Sequence, residues 1–145
     1  MNMKENARKS AGLLLAVCLG LMAWTPAQAA AEEQVLIFGD SLMKLVARSL
    51  AKQIDSVSGM DSTSVVSIGS GLARMDLFDW NGKIRKAAAQ SKPQTAVVMI
   101  GANDNQPMRT GSGIVRLDSP AWESEYKRRI SGIIEILLDS GVEEI

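Results

Sequence analysis

Hydrophobic positions along the chain fall into short unbroken runs and into longer stretches where they recur at helical spacing. Residues 35–38 (Val-Leu-Ile-Phe) form a compact run, the pattern of a strand buried on both faces. The run stops at Gly39-Asp40-Ser41, after which Leu42, Leu45, Val46, Leu50 and Ile54 define one face of a predicted helix. Residues 59–63 read as a polar loop and residues 65–68 as a second short strand, ending at Gly69-Ser70-Gly71. Residues 72–80 are irregular, residues 82–90 read as a modest helix rich in alanine and lysine, and Pro93 breaks it. Residues 95–100 form the third buried strand, which runs into Gly101-Ala102-Asn103-Asp104 and then a long loop containing Pro107, Gly111 and Gly113. The last helix is the best defined, with Ser119 as N-cap, Pro120 at the first helical position, and Glu123 and Glu125 at the positive end of the dipole. Trp122, Tyr126, Ile130, Ile133, Ile134, Leu137 and Leu138 form its predicted buried stripe, Gly141 stops it, and residues 142–145 begin a fourth strand.

Strands alternating with helices predict an α/β domain with a parallel sheet, because parallel strands need helical crossovers. Functional groups in such sheets gather at the carboxyl ends of the strands, and here all three strands run into a glycine-containing polar cluster. The segment before residue 30 stands apart from this pattern. Lys4, Arg8 and Lys9 precede an apolar run over residues 11–24 and then Ala27-Gln28-Ala29, the order of a secretory signal peptide cut after Ala29. That run is shorter than the roughly 20 residues of a membrane span. The expected organisation is a leader over residues 1–29, routing to the periplasm or cell envelope, and part of a single domain over residues 30–145.

Composition narrows the chemistry. The chain has 145 residues with 16 basic and 16 acidic side chains. Loss of Lys4, Arg8, Lys9 and Glu5 with the leader leaves 13 and 15, interspersed and without a basic stripe for nucleic acid. The one cysteine, Cys18, falls in the leader, so a disulfide framework and a thiolate site are both excluded from residues 30–145. There is no histidine, no cation-loop spacing of carboxylates, no phosphate loop and no dinucleotide fingerprint, so neither a metal nor a cofactor is expected.

The three strand-end clusters suit acyl transfer. A serine at a helix N-terminus sits among exposed backbone N–H groups and the positive end of the dipole. The oxyanion formed when its hydroxyl attacks a carbonyl needs donors, for which the Ser41 N–H, the Gly71 N–H and the Asn103 amide are candidates. Taken singly, the clusters also fit plainer roles, as an N-cap at Asp40 or Ser41 and as turns at residues 69–71 and 103–104.

In this order the clusters resemble the SGNH (GDSL-type) hydrolase superfamily over nearly all of residues 35–145. Phe38-Gly39-Asp40-Ser41 matches its first motif, Gly71 (with Gly69 as the alternative) its second, and Gly101-Ala102-Asn103-Asp104 its third. Residues 70–74 with Asp79-Trp80, and residues 101–106, look like a periplasmic bacterial branch of that superfamily. The resemblance implies a flavodoxin-like three-layer α/β/α sandwich with a parallel sheet, truncated at its C-terminal side. It implies an esterase acting on ester bonds of a small molecule or glycan, including deacetylation or O-acyl transfer on cell-envelope glycans. Ser41 is then the nucleophile, Ser41, Gly71 and Asn103 form the oxyanion hole, and Gly39, Asp40, Gly101 and Asp104 support the motifs. Arg74 and Trp80, just beyond Gly71, are expected at a substrate pocket, the alternative being that Leu77, Phe78 and Trp80 anchor the loop onto the core; Arg109 and Arg116 are candidates for a carboxylate or phosphate, with solvated loop charges as the plainer reading. The family's base and orienting acid come from an Asp-x-x-His motif near the end of the domain, which is missing here. Two readings follow: a fragment of an enzyme, inactive by itself, or a non-catalytic envelope binding or assembly protein on the same fold.

Overall fold

The computed structural model describes residues 32–145; the expected leader and its cleavage site lie outside them. β1 (Glu33–Gly39), β2 (Met60–Val66) and β3 (Thr95–Met99) form a parallel sheet in the order β2-β1-β3. The apolar run of β1 is unbroken because the strand is central and covered on both sides: Leu36 and Phe38 enter one core, Val35 and Ile37 the other. The first core is closed by α2 (Trp80–Ser91) and α3 (Pro120–Asp139), through Trp80, Ile84, Ile133, Ile136 and Leu137. The second is closed by α1 (Ser41–Ile54), through Met43 and Ala47. This is the expected α/β sheet flanked by helices, with a flavodoxin-like strand order.

Several element boundaries differ from the sequence expectation, each for a physical reason. The polar stretch read as a loop over residues 59–63 belongs to β2, which pairs with β1 from Met60 opposite Glu33 to Val66 opposite Gly39. β2 lies at the edge of the sheet, where one side of the strand meets solvent and tolerates Asp61, Ser62 and Ser64. In α1 the buried residues are Met43 and Ala47, with Leu50, Ala51 and Ile54 packed beside them; Leu42, Leu45 and Val46 face outward, Leu45 at 77 % exposure. The helix therefore sits about one residue away from the face its large aliphatic residues mark. In α3 the buried set is Arg129, Ile133, Ile136 and Leu137, while Ile130, Ile134 and Leu138 lie at the surface.

α2 begins two residues earlier than expected because the Asp79 carboxylate caps it, accepting from the Gly82 N–H at 2.9 Å. The long loop after β3 contains an antiparallel hairpin, β4 (Met108–Thr110) with β5 (Gly113–Val115). The expected fourth strand appears as one parallel bridge between Thr95 and Glu144 on the open edge of β3, with the Ala96 N–H donating to the Glu144 carbonyl at 2.8 Å.

Candidate functional site

The three strands end level, with Gly39 opposite both Val66 and Met99. Bonds just past the ends lock this alignment: the Ser67 N–H donates to the Gly39 carbonyl at 3.0 Å and the Asp40 N–H to the Met99 carbonyl at 3.1 Å. Gly39 has no room for a side chain, since a Cβ there would overlap the Met99 carbonyl and the Met43 Cβ. Glycine is required at this turn because α1 and β3 lie so close to the end of β1.

Asp40 makes that turn rigid. It is fully buried, and its Oδ1 accepts from the Leu42 N–H at 2.9 Å as the N-cap of α1. Its Oδ2 accepts from the Gly101 and Ala102 N–H groups, each at 2.9 Å. One carboxylate thus ties the start of α1 to the loop that carries Asn103. Ser41 follows as the first residue of α1, partly exposed, and its Oγ makes no hydrogen bond among the described residues.

Asp104 does for the second and third clusters what Asp40 does for the first. It is buried, and accepts from the Leu72 N–H at 3.0 Å, the Ala73 N–H at 2.7 Å and the Tyr126 hydroxyl at 2.8 Å. Gly71 lies against this carboxylate so closely that a Cβ would overlap Oδ1. The Asn103 side-chain amide donates to the Ser70 carbonyl at 2.8 Å, which places it next to Gly71 and leaves its second N–H uncommitted. The N–H groups of Ser41 and Gly71 likewise donate to no protein acceptor among the described residues. Sequence-predicted Ser41, Gly71 and Asn103 are thus held at the carboxyl end of the sheet by Asp40 and Asp104.

The two residues expected at a substrate pocket separate. Trp80 is a correction: it is fully buried in the first core, 5.9 Å from Phe38 and 4.8 Å from Phe78 between ring centroids, and cannot line an open pocket. Arg74 is partly exposed and forms a two-pronged ion pair with Asp76 at 2.9 and 3.0 Å. It lines a small cavity with Gln106, Met108 and Arg109, between the loops of Gly71 and Asn103. Arg116 is an exposed loop residue.

Sequence reasoning missed the contribution of α3. Trp122 and Tyr126, read as core, are half-buried and stack on each other at 4.8 Å with their planes 14° apart. Trp122 Nε1 donates to the Gln106 carbonyl at 2.9 Å, and the Gln106 amide in turn donates to the Asn103 carbonyl. Burial, and then the bond to Asp104 and its charge, push the Tyr126 phenol well above its ordinary range, so it stays a donor. One turn further on, Arg129 is buried and donates to the Leu72 carbonyl at 2.6 Å, the Ala73 carbonyl at 3.1 Å and the Arg109 carbonyl at 2.8 Å. The two residues after Gly71 are therefore clamped from both sides, their N–H groups by Asp104 and their carbonyls by Arg129. A charged residue in phase with Ile133 and Ile136 was the available signal, and it reads as solvated unless a buried partner is known.

Glu125 orients Arg129 at 2.8 Å and also takes a two-pronged bond from Arg128 at 2.7 and 2.8 Å. The Arg128 bond, opposed by partial burial and reinforced by Arg129, pulls the Glu125 carboxyl down to about 2 from 4.5. A lowered folded-state value adds stability that is present above pH 4.5 and is lost as pH falls toward 2. The melting temperature of the wild type should accordingly fall more steeply between pH 4.5 and 2 than that of Glu125→Gln. Parallel profiles would show that the Glu125 ion pairs contribute nothing to acid sensitivity.

No three metal-ligating side chains come together among the described residues, and no helix among them is long and apolar enough to cross a membrane. Fold and site together define an α/β domain whose level strand ends present a serine, a glycine and an asparagine held by two buried aspartates. The model of a family described as "Protein of unknown function (DUF459)" matches residues 34–145, and the chain belongs to that family. A search of curated proteins finds no match to the chain.

Proposed function

We propose that this chain supplies the nucleophile and oxyanion-binding part of a secreted SGNH-type serine esterase that acts on acyl esters of cell-envelope glycans. The observation that carries the reading is a set of uncommitted groups. A free Ser41 hydroxyl at the start of α1 accompanies three unpaired donors, the N–H groups of Ser41 and Gly71 and the second amide N–H of Asn103. Unpaired donors held by rigid neighbours are what stabilises charge as it develops on a carbonyl oxygen. The association of the DUF459 family with SGNH-like hydrolases points the same way.

In the proposed reaction Ser41 Oγ attacks the ester carbonyl and loses its proton to a base, while the three donors hold the oxyanion. The alcohol leaves as the tetrahedral intermediate collapses, and water or an acceptor hydroxyl then releases the acyl group from Ser41. The acids nearest the motifs are already occupied: Asp40 and Asp104 each accept three hydrogen bonds, and Asp79 caps α2. With no histidine in the sequence, the proposal places the base on chain outside these residues.

A fluorophosphonate probe on the full-length gene product is the test. Wild type should label and Ser41→Ala should not, while Asn103→Ala should label but turn over an aryl acetate about 10²–10³-fold more slowly. An unlabelled wild type, or equal label on Ser41→Ala, sinks the reading. The lack of a histidine in the sequence favours one second reading, a non-catalytic glycan-binding protein. Its mark is glycan binding that Ser41→Ala leaves unchanged in a full-length protein that does not label.

A further inference from the structure

A cavity of about 560 Å³ opens between α2, the β4–β5 hairpin and α3, and neither Ser41, Gly71 nor Asn103 lines it. Its size is that of a small-ligand site. Three arginines, Arg109, Arg128 and Arg129, and two carboxylates, Asp76 and Glu125, stand in its wall, leaving one net positive charge. The arginines differ in what they have left to give. Arg129 is committed to Glu125 and three backbone carbonyls. Arg128 spends two nitrogens on Glu125 and keeps its third. Arg109 donates no hydrogen bond among the described residues and stands 3.8 Å from Asp76, whose carboxylate is already engaged by Arg74.

Two further features mark the cavity as a place for a ligand. Asn81, half-buried in its wall, has a side-chain NH2 that makes no hydrogen bond among the described residues and is open to an acceptor. Gly132 lies within α3, where glycine is unfavourable by roughly 1 kcal/mol relative to alanine. No packing demands it, since a Cβ there would meet nothing within 4 Å. Any larger side chain at this position would instead project into the cavity it lines.

We propose that this cavity binds a carboxylate-bearing sugar, such as a hexuronate unit of an acidic glycan. The sugar's carboxylate pairs with the free donors of Arg109 and Arg128, whose planar forks match its two oxygens. A sugar hydroxyl accepts from the Asn81 side-chain NH2. The single net positive charge suits a monoanionic carboxylate better than a phosphate, which carries about −1.5 to −2. The site stands independently of the chemistry proposed for Ser41.

Calorimetric titration of the full-length protein with a glucuronate-containing oligosaccharide tests this, beside its neutral glucose counterpart and a sugar phosphate. The uronate should bind at least tenfold more tightly than either comparison ligand. Arg109→Ala and Gly132→Leu should each weaken it at least tenfold. Gly132→Leu fills the cavity while improving helix propensity, so its melting temperature should hold or rise, which separates lost binding from lost fold. Equal binding of the neutral sugar, tighter binding of the sugar phosphate, or wild-type affinity in both variants overturns the proposal. Fluorophosphonate labelling of Ser41 in the same variants reports separately on the esterase reading.

Discussion

Asp104→Ala should destabilise the protein by about 3–6 kcal/mol. The change removes one acceptor group and strands three donors, the Leu72 and Ala73 N–H groups and the Tyr126 hydroxyl. Leu72 and Ala73 are buried, so water cannot replace the lost partner without opening the structure. Each stranded buried donor costs about 1–3 kcal/mol, and the three act through one residue, so their sum is an upper range. Against a typical stability of about 5–15 kcal/mol this approaches global unfolding. Tyr126→Phe removes the phenol together with its need for a partner and leaves the two N–H bonds intact. It should cost only about 1 kcal/mol. Chemical denaturation of the two variants beside wild type checks both figures. A loss under about 1 kcal/mol for Asp104→Ala would mean that the Gly71 loop is not held from Asp104. The same clamp gives α3 a role at the site: Arg129 grips the carbonyls of the two residues whose N–H groups Asp104 holds.

How much of this was legible in the sequence depends on whether the decisive contact was local. The central strand, the helix start at Ser119 and Pro120, and the three glycine-containing strand ends were readable because burial on both faces, capping and turns are encoded within a few residues. β2 was placed too late because an edge strand answers to its neighbour β1, and Asp61-Ser62-Thr63-Ser64 carries no apolar signal of its own. The face of α1 differs from the expected one because Leu42, Leu45 and Val46 mark a stripe of branched aliphatic residues, whereas close approach to the sheet favours a small alanine at 47 and a flexible, unbranched methionine at 43. Asp40 and Asp104 were recognisable as motif residues, but their partners lie 31 to 62 positions away for most of their bonds. Arg129 was invisible for the same reason, its three carbonyl partners being 57, 56 and 20 residues distant in sequence. Pairwise chemistry at that range is settled by topology, which periodicity predicts only as a class.

Gly39→Ala should destabilise the protein by about 3 kcal/mol or more, whereas Gly132→Ala should stabilise it by about 0.5–1 kcal/mol. The two substitutions add the same methyl group and differ only in what it meets. At position 39 the new Cβ runs into the Met99 carbonyl, which is backbone, and into the Met43 Cβ at the base of its side chain. Neither atom can swing away as the end of a flexible side chain would. Overpacking of this kind costs about 1–3 kcal/mol and more where backbone must move. Moving it would spread β1 from β3 at the point where the Asp40 N–H meets the Met99 carbonyl and the Asp40 carboxylate holds Gly101 and Ala102. The register of Ser41 against Asn103 depends on that junction, so fluorophosphonate labelling of any folded Gly39→Ala protein should fall with its stability. At position 132 the methyl group enters open space and removes the entropic penalty of glycine within a helix. Thermal melts of the pair read the sign directly. Equal melting temperatures would mean that α1 is not packed against the strand ends closely enough to require glycine at the turn into Ser41.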